Sequence, residues 1–219
     1  MITFEQIRNN EDIKIYIRKA DESLKALGYT EHSFAHVGKV SETAAYILET
    51  LGYDEKNIVL AKVAGYLHDI GNLVNRIEHS QSGALMAFRL LDKLGMDADD
   101  IATVVTAIGN HDEGTGVAVN PVAAALIIAD KCDVRRTRVR NSDISAFDIH
   151  DRVNYSVVRS ELKISEDRKA IILELEVDTS ISAVIDYFSI FIGRMQMSRQ
   201  AAQTLGLTFG LVINGQKLL

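Results

Sequence analysis

The chain has one cysteine, Cys132, and one proline, Pro121, among 219 residues. A single cysteine excludes an intramolecular disulfide and fits a reducing compartment, so a cytoplasmic location is expected. Having one proline removes most helix breakers and leaves room for long uninterrupted helices. No apolar run approaches the ~18 residues that a membrane span requires. The first residues, Met1-Ile2-Thr3-Phe4-Glu5-Gln6, lack the basic start and apolar stretch of a signal peptide. Basic residues are also in deficit. With 24 Lys and Arg against 30 Asp and Glu, the net charge is −6, which argues against a stable nucleic-acid partner.

What the chain does have is ordinary globular composition, 47% hydrophobic and 25% charged. Its length suits one domain with an appendage and can bury a sizeable core unaided. Up to about residue 150 the apolar residues recur at helical spacing. Asn10 caps a helix to Leu27. Another runs from Phe34 to Leu51, and a third is capped by Asp54 and leads to His68-Asp69, where Gly71 offers a stop. A helix beginning near His79 holds Leu85, Phe88, Leu91 and Leu94 and ends at Gly95, and Asp97 caps the next. Pro121 suits a first helical position ahead of a segment, 122–134, that is apolar all round and therefore central. Beyond residue 150 the period changes. Val158 to Ile164 and Leu173 to Val177 alternate as strands around a turn. Ser180 to Leu205 is amphipathic, with Ile181, Val184, Ile185, Phe188, Ile192 and Met195 on one side, and Thr208 to Ile213 suits a last strand. The expected class is mainly α: an all-α domain over residues 1–150 and a β-β-α-β appendage over 151–219 packed on it. Open strand edges in the appendage allow a homodimer.

The chemistry lies in imidazoles and carboxylates set among apolar residues. His36 leads the face of Val37 and Val40. His68-Asp69 closes an apolar run from Ile58, where a carboxylate opposes the negative end of a helix. His79 begins a helix and His111 follows one. Asp130 sits between Leu126 and Val134 on an apolar face, where a buried acid needs a strong partner. Each could be a hydrogen-bonded core residue. Jointly they could converge on metal, and nitrogen with carboxylate oxygen suits Fe, Mn, Zn, Ni or Co rather than Ca. An adjacent His-Asp pair alone is weak, as His150-Asp151 shows.

Over about residues 30–140 this pattern resembles the HD-domain superfamily of metal-dependent phosphohydrolases: a His (His36), an adjacent His-Asp (His68-Asp69) and a distant Asp (Asp130). The resemblance implies an HD-type helical bundle with those four as ligands. It also implies that His79 and His111 complete a site for one or two divalent transition metals bridged by Asp69. His32, one turn before His36, is expected to cap the helix or support the ligands. The implied activity is hydrolysis of a phosphomonoester or phosphodiester of a nucleotide or other small molecule by metal-activated hydroxide, with Asp69, His68 and His111 catalytic. The double His and Tyr-Pro of HD-GYP cyclic-dinucleotide phosphodiesterases are missing around Asn110-His111-Asp112. Lys39, Arg135 and Arg136 are the expected phosphate donors, because guanidinium and ammonium groups suit phosphate. The competing reading is a ligand-sensing or scaffold HD protein with a structural metal and no turnover.

Overall fold

The computed structural model describes residues 2–219. Nine α-helices occur among them: α1 (Phe4–Arg8), α2 (Glu11–Ala26), α3 (Phe34–Leu51), α4 (Glu55–Leu67), α5 (His79–Lys93), α6 (Ala98–Gly109), α7 (Pro121–Lys131), α8 (Ile149–Ser156) and α9 (Val184–Thr204). Four strands follow in a single sheet: β1 (Val157–Ile164), β2 (Ala170–Val177), β3 (Thr208–Ile213) and β4 (Gln216–Lys217). Strand order is β1-β2-β3-β4. The β2–β3 pair is parallel, and α9 makes the crossover between them. Among the described residues, no helix is long and apolar enough to cross a membrane.

Helix starts follow from local chemistry. Thr3 and Gln6 form a capping box, while Asn10, Ser33, Asp54, Asp97 and Asn120 each accept a backbone N–H of the helix they open. The all-apolar segment forms α7, with Val122 through Ala129 buried on every side. It is walled by α3, α4, α6 and α9. It stops at Lys131, short of Val134, with Cys132 as its cap.

Two glycines let the bundle close. A Cβ on Gly65 would lie 2.7 Å from Ser41 Cα, so α3 and α4 meet backbone to backbone there. Gly71 is not a left-handed helix stop. It lies in a 3-10 turn (Ile70–Leu73), and a Cβ on it would lie 2.0 Å from the His79 carbonyl. Helix α4 ends earlier, at Leu67, and the chain turns at once toward α5.

Helix faces depart from the simple periodic reading at two places. In α5, Leu85 (71% exposed) and Phe88 point outward, while Gly83, Ala84, Ala87 and Leu91 face the core. The close approach to Gly71 selects small residues on the buried side, so the large ones turn out. In α9, Ile185 (68% exposed) and Ile192 are outside, and Tyr187, Phe191, Met195, Ser198, Ala201 and Ala202 are buried. Helix α9 packs against α7, and Ser198 Oγ lies 4.0 Å from Sγ of Cys132, the cap of α7. Helix α8 directly precedes β1 and carries His150-Asp151. One hydrophobic cluster runs from Ile7 through α7 to Ile213, so the appendage shares the core of the helical domain.

Candidate metal centre

The centre is assembled from the ends of helices. Near the start of α3 stands His36, and His68 and Asp69 lie just past the end of α4. His79 opens α5, His111 follows α6, and Asp130 is one residue from the end of α7. Sequence separations near 100 residues close onto one point because α3, α4 and α7 pack against one another. His36, His68, His79 and His111 are all buried, as is Asp69.

Each imidazole is oriented by its Nδ1. The His68 Nδ1–H donates to Gly65 O (2.8 Å), His79 to Arg76 O (3.0 Å) and His111 to Ile108 O (2.6 Å). A carbonyl only accepts, so the proton must be on Nδ1 and Nε2 is left as the free donor atom. His36 differs: its Nδ1 faces a carboxylate, Asp133 Oδ2, at 2.8 Å. Four Nε2 atoms thus point inward, each backed by an acceptor, as is usual for metal-binding histidines.

The inward atoms form two groups that share Asp69. Asp69 Oδ2 is 3.4 Å from His36 Nε2 and 3.1 Å from His68 Nε2. Asp130 Oδ1 closes this group, 3.3 Å from His36 Nε2 and 3.6 Å from His68 Nε2. The other oxygen, Asp69 Oδ1, is 3.5 Å from His79 Nε2, which lies 3.2 Å from His111 Nε2. Asn72 Nδ2 donates to Asp69 Oδ1 at 2.9 Å and fixes the carboxylate plane. The ligating atoms of His36, His68 and Asp130, and those of His68, Asp69 and His111, lie within 4.8 Å of one another.

Two observations test the fit to cations. His36 Nε2, His68 Nε2 and Asp69 Oδ2 are buried and, despite their short separations, none has a hydrogen-bond partner. Leaving such atoms unpaired costs on the order of 1–3 kcal/mol each, and a divalent ion among them would satisfy all three. Second, the Nε2 atoms of His79 and His111 present lone pairs to each other, because both Nδ1 positions hold the proton. A cation between them converts that repulsion into coordination. The donor set of imidazole nitrogen and carboxylate oxygen suits a divalent transition metal.

The titration behaviour has the same origin. Burial alone would depress His68, but the carboxylates of Asp69 and Asp130 outweigh it and push its pKa up to about 10. His36 is likewise raised against its burial, by Asp130, Asp133 and Asp69. His111 is pushed down to about 3 by burial and by the charges of His68 and Lys131, and His79 is lowered by burial. Asp69 and Asp130 stay well below the usual carboxylate range. Burial opposes this, but the neighbouring cations prevail.

Around this centre the cations take specific partners. Arg76 Nη1 lies 3.3 Å from His79 Nε2 and 4.0 Å from Asp69 Oδ1. Lys131 Nζ is 2.8 Å from Asp130 Oδ2. Of the residues expected at phosphate, Lys39 (3.1 Å) and Arg135 (2.9 Å) both turn to Asp133 Oδ1. Arg136 donates to Tyr155 O and stacks on the Tyr155 ring. His32 donates from Nδ1 to Thr30 O, with its ring 5.4 Å from that of His36. Sequence reasoning missed Asp133, although its spacing of three from Asp130 was visible. Arg76 and Arg194 lie outside the set of Lys39, Arg135 and Arg136 expected at phosphate.

With the geometry in hand, likeness to known proteins is informative. Residues 33–137 match the family model described as HD domain. A protein of Methanocaldococcus jannaschii described as uncharacterized is 26% identical over 206 residues, covering 83% of this chain and 78% of its own length. The crystal structure of a predicted HD superfamily hydrolase from an uncultured Thermotogales bacterium is 27% identical. It covers 60% of this chain and 72% of its own, with a TM-score of 0.46. The matched segment contains the His/Asp groups that could hold a metal ion, His36 with His68 and Asp130 and His68 with Asp69 and His111.

Proposed function

We propose that this protein is a metal-dependent phosphohydrolase acting on a phosphomonoester or phosphodiester of a nucleotide or other small molecule. The observation that carries the reading is Asp69, which turns Oδ2 to His36 and His68 and Oδ1 to His79. One carboxylate facing two imidazole groups is the arrangement a pair of cations requires. In this reading His36, His68, Asp69 and Asp130 hold one ion, and Asp69, His79 and His111 hold the other. Bound there, divalent cations would lower the pKa of a coordinated water from ~16 toward ~7 and neutralise charge on phosphoryl oxygens.

The chain's own groups do the rest. Neutral His79 and His111 donate lone pairs without adding negative charge, so the loaded centre favours an anionic substrate. Arg76 sits at its rim with side-chain exposure of 27% and offers a guanidinium to a phosphoryl oxygen. It takes the role expected of Lys39, Arg135 and Arg136, whose charges are given to Asp133 and Tyr155. Lys131 holds Asp130 by a short ion pair and fixes its orientation. His68, Asp69 and His111 are proposed as catalytic because they border the point where the two groups meet.

The test is a panel of phosphomonoesters, phosphodiesters and nucleotides offered to chelator-treated protein with Mn, Fe, Co and Ni added separately. Turnover that depends on added metal supports the reading. Bound metal with no turnover on any member would instead favour a sensor or scaffold.

A further inference from the structure

Beside the metal centre is a cleft of about 280 Å³, between the helical domain and the helices α8 and α9. At ~30 Å³ per water this is room for about nine waters, so its ligand is a small molecule. The HD match ends at residue 137, so α8 and α9 lie outside it.

Three arginines line the cleft: Arg76, Arg138 and Arg194. Arg138 is buried and already donates to Glu31 O and Asp133 O. The other two are held differently. The Arg76 guanidinium lies over the Tyr29 ring, 5.6 Å from its centroid, and Arg194 lies over Phe191 at 4.6 Å. Stacking on a ring holds a guanidinium plane in place before a ligand arrives, which lowers the ordering cost of binding. Arg194 is fixed further by its Nε, which donates to Glu113 Oε1 at 2.8 Å and leaves the Nη edge for a ligand. Glu113 also lies 3.5 Å from Lys131, which pairs with Asp130. Arg194 is therefore tied to the metal centre through Glu113 and Lys131. The wall also carries two acids, Asp148, which caps α8, and Asp151, against its three arginines. In a chain of net charge −6 this is a locally cationic wall.

We propose that this cleft is a second anion subsite, with Arg194 as the residue that selects substrates carrying a further anionic group on the part that leaves. The proposal rests on the phosphohydrolase reading: one phosphoryl group sits at the metal centre with Arg76, and the second, a phosphate or carboxylate, meets the Nη edge of Arg194. Helices α8 and α9 thereby determine specificity for a reaction whose metal ligands lie elsewhere.

The experiment compares matched pairs, glucose 6-phosphate with glucose 1,6-bisphosphate and a nucleoside 5′-monophosphate with its 3′,5′-bisphosphate. Both kcat/KM and binding by calorimetry are measured for wild type, Arg194→Ala and Arg194→Gln, each checked for unaltered thermal unfolding. Wild type should favour the bis-anionic member of at least one pair by about tenfold or more. Both variants should bring that ratio close to one, mainly through KM. Equal treatment of both members by wild type, or an undiminished preference in both variants, would overturn the subsite. If nothing is hydrolysed, the phosphohydrolase reading fails and calorimetry alone decides the subsite. Arg194-dependent binding of a bisphosphate retains it, and no such binding removes it.

Discussion

Asp133 shows how much of the centre rests on a residue that does not face it. Its carboxylate is fully buried, receives the Nδ1–H of His36, and is surrounded by Lys39, Arg135 and Arg138. These partners outweigh its burial and hold its pKa far below the usual carboxylate range. A carboxylate behind an imidazole makes the ring a stronger ligand than a carbonyl does. Asp133→Asn should weaken metal binding by about 10–100-fold, read by titration of chelator-stripped protein. Unchanged affinity would remove Asp133 from this role.

The raised pKa of His68 has a sign that can be checked. Without metal the ring is charged at neutral pH, because its pKa of about 10 lies above the ordinary 6.5. That charge contributes stability fully present below the ordinary value and lost as pH rises through about 10. Metal must displace the proton. Apparent metal affinity should therefore rise at least about tenfold per pH unit from about pH 6 to 8, with protons released on loading. His79 and His111, both lowered, add nothing there. A pH-independent affinity would contradict the protonation of His68.

At the scale of elements, the turn from α4 into α5 carries the site, and its geometry depends on Gly71. An added methyl would meet the His79 carbonyl at 2.0 Å and the Gly83 nitrogen at 2.4 Å. Neither is a flexible group. Gly71→Ala should cost about 3 kcal/mol or more in unfolding free energy and should weaken metal binding through His79. Chemical denaturation and metal titration measure the two effects, and a change below about 1 kcal/mol would contradict the close approach.

Elements of this kind were partly legible in the sequence. Caps at Asn10, Asp54 and Asp97, and Pro121 at a first helical position, marked helix starts because both signals are local chemistry. The six His and Asp residues stood out because imidazole and carboxylate conflict with apolar surroundings. The inner faces of α5 and α9 were legible only in part: Leu91 and Met195 are buried, but Leu85, Phe88, Ile185 and Ile192 are exposed. Periodicity finds an apolar stripe, but in α5 Gly71 against Gly83 decides that small residues turn inward. Nor were the partners of Arg135 and Arg136 legible. Four arginines in six residues look alike in sequence, and only the fold sets one against Asp133 and another on Tyr155.

For the molecule as a whole, α7 is the axis and α9 is part of its wall. Truncation after residue 150 would remove α9 and the sheet and expose the apolar surface of α7 that packs against α9. Because the cluster is continuous across residue 150, the truncated chain should fail to unfold cooperatively and should associate. Circular dichroism melting and gel filtration test this. A monomeric fragment with a sharp transition would show two independent folding units.

Binding of Mn²⁺ to chelator-stripped protein, followed by calorimetry in wild type and Asp69→Ala, bears most directly on the metal centre. Saturable uptake of about two ions per chain is expected. In Asp69→Ala affinity should fall by more than the ~10–100-fold that loss of a ligand's supporting group produces. No saturable uptake by wild type, or full uptake by Asp69→Ala, would contradict a centre built on Asp69.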